Sequence, residues 1–439
     1  MAKKNSISIE FERIVSWTKD LIQILLLAII LGVICGFIMV LFNYLLIFFQ
    51  ITFSLLPYFL APILAGVLTS LLVKYGNLEE ILGTGSPEFI REVTSSEEEN
   101  ASKKISIVFG KTFATSWTYG SGMICGREGP GLLIGANLGA LFSEKLGQDK
   151  EDASFVGASA CTAAILKAPI SGALFCAELP YNNHIRYKSL IHSIIAAIIA
   201  YIIFCLFFGF TPLIKTNLSS ISPNKVNYIS LLPFLIAFGV FVGIFVLFLT
   251  YFLRGFTSIL RNNFKEKPGL WILPLIGGCA YGLFLFLTIP MIKIDYSSEL
   301  SHPDFNFISI LTENLGLNLW TFLLVLLLII TIAIILSIGT MNSAGIIMPL
   351  MFLGAILGGV FGVLFYPENP ELFVILGISV ALGAATNNPI AAIFIIVEMT
   401  WVPLLFIPVG ITTVAAYLIS GPNSIIPGQF DVKKQRGFY

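Results

Sequence analysis

The apolar run from Leu21 to Phe49 decides the environment of this chain before any motif is read. A helix needs about 20 predominantly apolar residues to cross the hydrocarbon core of a bilayer, and this run and several later ones reach that length. Charged residues make up 11% of 439 and mean hydropathy is +0.91, whereas soluble domains carry roughly a quarter charged residues. Helices and closed barrels alone satisfy every backbone group in lipid, and runs of this length predict an all-α polytopic membrane protein. Shorter apolar pieces, Gly131 to Phe142 and Ala168 to Cys176, are cut by Gly and Pro. They are predicted to be broken or re-entrant helices shielded from lipid by protein.

Net charge is zero, but its placement indicates orientation. Lys3, Lys4 and Arg13 precede the first span, Lys433, Lys434 and Arg436 follow the last, and Arg254, Arg261, Lys265 and Lys267 mark a loop near residue 260. The positive-inside bias makes these three regions cytoplasmic, with Asp295, Glu299 and Asp304, and Glu368 and Glu371, outside. Both termini inside means an even number of crossings. No small-residue cleavage site follows the first run, so the first helix is expected to stay uncleaved, and no soluble regulatory domain is expected after Pro427. The six cysteines lack metal spacing and read as small core residues. With only three histidines, a histidine-based metal or catalytic centre is not expected. Glu97, Glu98 and Glu99 with Lys103 and Lys104 read as a solvated loop.

The chain also repeats itself. Pro130 is followed by Pro169 and then Glu178; Pro349 is followed at nearly the same spacing by Pro389 and then Glu398. Gly135 and Gly139 follow Pro130 as Gly354 and Gly358 follow Pro349, and glycines four apart let helices pack backbone to backbone in lipid. Duplications of this kind are common in transporters, and inverted halves bring discontinuous helices together at the midplane. The expected division is a cytoplasmic segment 1–20, a first membrane repeat 21–215, a second repeat 216–427 and a cytoplasmic tail 428–439. Polar residues between Pro212 and Lys225 mark the join. Glu178 and Glu398 are expected to be structural residues near helix ends.

Glycine-proline motifs stand before apolar stretches at Gly83 to Glu88, at Gly126 to Pro130 and at Gly345 to Pro349, with a weaker one at Gly421 to Pro427. Such motifs present free backbone N–H groups and the positive ends of helix dipoles, which favour anions. An anion held by dipoles rather than a buried Lys or Arg is also released readily. Glu128, within Gly-Arg-Glu-Gly-Pro, is a carboxylate at membrane depth, where ionisable groups mark transport paths. The alternatives are a structural ion pair between Glu128 and Arg127, and an N-cap role for Thr84.

These motifs and their order resemble the CLC family of chloride channels and chloride/proton exchangers, over about Leu21 to Gln429. Its signature Gly-Ser-Gly-Ile-Pro-Glu stands here as Gly83-Thr84-Gly85-Ser86-Pro87-Glu88, Gly-Arg-Glu-Gly-Pro is intact, and Gly-x-Phe-x-Pro stands as Gly345-Ile346-Ile347-Met348-Pro349. The resemblance implies a CLC-like inverted repeat, no enzyme activity, no cofactor or metal, and a homodimer in the microbial plasma membrane. Each subunit would have its own pore where four helix ends converge. Chloride is the implied ion, protons a coupled one, the lipid bilayer the setting, and nucleic acid no partner. By position, Thr84 offers its hydroxyl to the anion, with Gly85, Ser86, Arg127, Gly129, Ile346, Ile347 and Ile426 around it, and Glu128 is the external gate. Relatives with proline at the Thr84 position tend to prefer nitrate, so a hydroxyl there favours chloride.

Two departures bear on mechanism. Leu179 stands where exchangers often carry an internal proton-transfer glutamate, and Ile426 of Ser424-Ile425-Ile426-Pro427 stands where the family has a tyrosine. An intact Glu128 suits a proton-coupled exchanger; Leu179 and Ile426 suit a passive or loosely coupled channel. A fluoride exporter is a further alternative, since a smaller anion can share the same cradle. From another class, a lipid-pyrophosphate phosphatase could hold phosphate on Arg127 and the glycine-rich backbone, but no histidine or paired carboxylate accompanies the motif.

Overall fold

Proline, the strongest breaker of helices, here starts them. Pro169, Pro370 and Pro389 each open a helix, at positions whose N–H would have no helical partner anyway. The structure, a computed structural model, describes residues 2–95, 100–182, 184–216, 228–266, 268–292 and 320–431. The first half contains α1 (Ala2–Ser54), α2 (Leu60–Gly76), α3 (Ser86–Thr94), α4 (Ala101–Gly120), α5 (Glu128–Leu146), α6 (Lys150–Leu166), α7 (Pro169–Glu178) and α8 (Tyr187–Phe208). The second contains α9 (Tyr228–Phe264), α10 (Leu273–Ile292), α11 (Trp320–Ser337), α12 (Ile347–Phe365), α13 (Pro370–Thr386), α14 (Pro389–Thr400) and α15 (Phe406–Ser420).

The repeat read from the sequence is an inverted pair of helical triplets. Helices α5, α6 and α7 have 19, 17 and 10 residues; α12, α13 and α14 have 19, 17 and 12. Lys167 and Asn387, at φ 50 and 62, end α6 and α13 in the same left-handed conformation. Backbones touch where the glycines predicted it: Gly135 lies on Gly157, and Gly354 on Gly377, with no space for a Cβ. The short helices then cap each other across the halves. Glu178 accepts from the N–H groups of Ile390 and Ala391, and Glu398 from those of Ile170 and Ser171. Both glutamates therefore have the structural role expected of them.

Among the described residues, seven helical stretches are long and apolar enough to cross a membrane. In six of them the most apolar window is 33–44% buried, leaving wide faces for lipid, whereas that of α12 is 94% buried. This helix is sheathed by protein, so the bilayer meets its neighbours instead. Some sequence expectations shift. The piece Gly131 to Phe142 belongs to a full-length α5, because the glycines that break its apolar pattern are packing positions; α7 is short as expected. Arg254 and Arg261 lie within α9 rather than in a loop. Lys104 is buried and Lys103 pairs with Glu80 at 2.6 Å, so neither belongs to a freely solvated loop. Residues 96–99, 217–227 and 293–319, holding Glu97 to Glu99, most of the join between the halves, and Asp295, Glu299 and Asp304, lie outside the described residues. Five of the six cysteines are buried, and Cys279 is exposed.

A segment after α15 is tied back to the first half. Strand β1 (Tyr181–Asn182) pairs in parallel with β2 (Phe430–Asp431), and the Gln429 amide donates to the carbonyls of Leu179 and Thr386, each at 2.8 Å.

Candidate anion site

Three of the four glycine-proline motifs meet. Gly126 and Gly345, each just before a helix, donate their N–H groups to one another's carbonyls at 2.7 Å, a two-residue antiparallel bridge that sets the starts of α5 and α12 together. The first motif joins them through Gly83, whose N–H donates to Met341 O at 3.0 Å and whose carbonyl accepts from Ala344 N at 3.2 Å. Gly83 and Gly85, at φ 72 and 81, adopt left-handed backbone that glycine tolerates best. A Cβ on Gly85 would meet the Gly129 carbonyl at 2.7 Å, so α3 and α5 touch through bare backbone. The first-turn N–H groups of α3, α5 and α12 have no helical acceptors. Their positive ends gather at one place.

Glu128 lies here, fully buried, with both carboxyl oxygens lacking a hydrogen-bond partner. Its side chain folds back over the open face of Gly126, beside the Met348 backbone nitrogen of α12. No ion pair ties it to Arg127, whose Nη1 instead reaches Asn43 of α1 at 2.5 Å. The structural ion-pair reading is thereby overturned, since Arg127 directs its hydrogen bond to α1 and makes no salt bridge to Glu128. Arg127 is the N-cap of α5, and its Nε is buried without a hydrogen-bond partner. A buried carboxylate with free oxygens is costly unless it serves a path or a partner.

The remaining predicted residues divide. Thr84 is half-buried in the first motif; Gly85, not Thr84, is the N-cap of α3, and no side chain caps that helix, so the N-cap reading of Thr84 fails. Ser86 and Gly129 are buried and face one another, with the Ser86 Oγ unpartnered. Ile346 and Ile347, both buried, form the N-cap and first turn of α12. Ile426 is buried too, but its bonds lead elsewhere: its N–H donates to Ser424 Oγ, its carbonyl accepts from Arg254, and the Ile425 N–H donates to Ala385 O. Nor does its motif precede a helix among the described residues. Gly428, at φ 98, turns the chain into β2. The expected fourth helix end is therefore missing from the described site.

Support for the site comes from residues not singled out in the sequence. Lys111 of α4 is buried and donates from Nζ to the carbonyls of Ile81 at 2.9 Å and Gly83 at 2.7 Å, so a lysine amine props the first motif from beneath. A lysine inside the apolar run from Ile105 is the signal that would have found it. Tyr281 of α10 receives the Ile124 N–H at 3.0 Å and donates to Gly122 O at 3.3 Å, and Ser337 of α11 donates to Ile124 O at 2.7 Å. Together they pin the loop that carries Arg127 and Glu128. Their distance in sequence hides this role.

Converging helix starts around an unpartnered carboxylate can replace part of an anion's hydration shell, and the described residues contain no cluster of metal-binding side chains. A sequence profile described as voltage gated chloride channel matches residues 65–421. Among solved structures, a slow cyanobacterial Cl⁻/H⁺ antiporter superposes with a TM-score of 0.76 at 19% identity, covering 92% of this chain and 96% of its own. A CLC-type fluoride/proton antiporter gives 0.74 at 23% identity over 94% and 98%, and a eukaryotic CLC transporter 0.74 at 17% over 93% and 73%. This chain belongs to the voltage-gated chloride channel family, whose members are membrane anion transporters and not enzymes.

Proposed function

We propose that this protein exchanges chloride for protons through a pore in each subunit of a homodimer, with Glu128 as the gate. The carrying observation is the buried Glu128 carboxyl, unpartnered at the meeting of α5 and α12. Ionised, it takes the place an anion would occupy; protonated, it loses the attraction of the helix ends and leaves, and the proton moves with it. Thr84 and the first-turn N–H groups at Ile346 and Ile347 bind the anion. The two repeats, 21–215 and 216–427, supply the two sides of the path, and both ends of the chain, 1–20 and 428–439, face the cytoplasm of a microbial plasma membrane.

Anion efflux from liposomes with simultaneous external pH recording tests this reading. Coupled movement of the two ions is expected, and Glu128→Gln should retain anion flux while losing proton movement. Chloride flow without protons in the unaltered protein would remove the exchanger and leave a passive conductance, the second reading. Leu179 favours that reading, being fully buried and unable to relay a proton where exchangers often carry a glutamate. A parallel assay with fluoride identifies the anion: fluoride carried in preference to chloride would reassign the substrate.

A further inference from the structure

Ser86 is the first residue of α3, is 0% exposed, and its hydroxyl oxygen has no hydrogen-bond partner. Burying a hydroxyl without a partner costs free energy, and such groups call for an explanation in a ligand or a packing demand. Its direction is informative. The oxygen lies 3.2 Å from where a Cβ on Gly129 would stand, so it points at the first turn of α5, one residue from the unpartnered Glu128 carboxyl. A donor lacking an acceptor and a carboxyl lacking donors thus flank the same backbone. The corresponding residue of the family signature is isoleucine, which offers no donor.

We infer that Ser86 is a specificity-determining ligand of the permeating anion, its hydroxyl adding a second side-chain donor to that of Thr84. This rests on the proposed anion path past Glu128. An O–H donor attracts a compact anion more strongly than a large one, because the interaction grows as the charges approach. An added hydroxyl therefore tilts the site toward fluoride relative to chloride, beyond what the shared backbone donors achieve.

Fluoride and chloride uptake into liposomes, measured for the unaltered protein, Ser86→Ala, Ser86→Cys and Thr84→Ala, tests the inference. Ser86→Ala is expected to lower the fluoride-to-chloride flux ratio roughly threefold or more, in line with losing one hydrogen bond to an ion, with proton stoichiometry kept. Ser86→Cys, close to serine in size but a weak donor, should shift the ratio in the same direction and covers the case in which the alanine variant does not fold. If both folded Ser86 variants keep the unaltered ratio while Thr84→Ala changes anion flux, Ser86 is a packing residue and the inference falls alone. If Thr84→Ala is equally silent, or the unaltered protein carries neither anion, the anion path itself is misplaced and both readings fall.

Discussion

Glu398 holds Ser171 by two bonds, accepting its backbone N–H at 2.8 Å and its hydroxyl at 2.5 Å, whereas the equivalent partner of Glu178 is Ala391, which offers only its N–H at 2.9 Å. The two halves are thus cross-capped with unequal strength. Glu398→Gln is expected to cost about 1–3 kcal/mol, and Glu178→Gln less. Thermal unfolding in detergent measures both, and a larger loss for Glu178→Gln would contradict the assignment.

Gly126→Ala places a methyl where the Glu128 carboxylate and the Met348 nitrogen, 3.1 Å away, already crowd. The carboxylate must leave that position, so anion binding and flux should change while the helices stay packed. Calorimetric titration of chloride should show a shifted affinity in this variant. Gly358→Ala is the contrast: its methyl would strike the Phe373 carbonyl, and overpacking costs about 1–3 kcal/mol. There the melting temperature should fall first.

Tyr281→Phe removes one hydroxyl that both accepts from Ile124 and donates to Gly122. A loss of about 1–2 kcal/mol is expected. If the pinned loop positions Glu128, protons moved per anion should also fall, by the paired ion recordings. Lower stability with unchanged stoichiometry would restrict Tyr281 to a structural role.

Lys111→Met deletes a buried amine and its two bonds to the carbonyls of Ile81 and Gly83. Anion affinity should drop about tenfold or more, the scale of losing one charge-assisted hydrogen bond. Equal chloride affinity in the folded variant would show that the first motif keeps its shape without the lysine.

Much of this architecture was legible because its causes are local or periodic. Apolar runs longer than a bilayer declare membrane helices, and the paired Pro, Gly and Glu positions declare the duplication; Gly135 and Gly354 are then found in backbone contact as their spacing implied. The meeting of the first three motifs was implied by the resemblance of their order to a known family, and the structure joins them through Gly83, Gly126 and Gly345. What escaped was set by tertiary partners. Arg127 turns to Asn43, far back in α1, so adjacency to Glu128 suggested an ion pair that three-dimensional reach did not favour. Glycines in α5 read as breaks but are contacts, since sequence does not distinguish a glycine that ends a helix from one that admits a neighbour. Ile426 was placed by alignment, and the pairing of the next described segment, Phe430–Asp431, with Tyr181–Asn182 is a long-range contact that no local pattern announces.

The tie made by Gln429 spans 250 positions to Leu179. During synthesis the carbonyls it serves, on Leu179 and Thr386, emerge long before their donor does. That seam between the two halves therefore closes only once Gln429 has been made, and replacing this one amide would leave both carbonyls open.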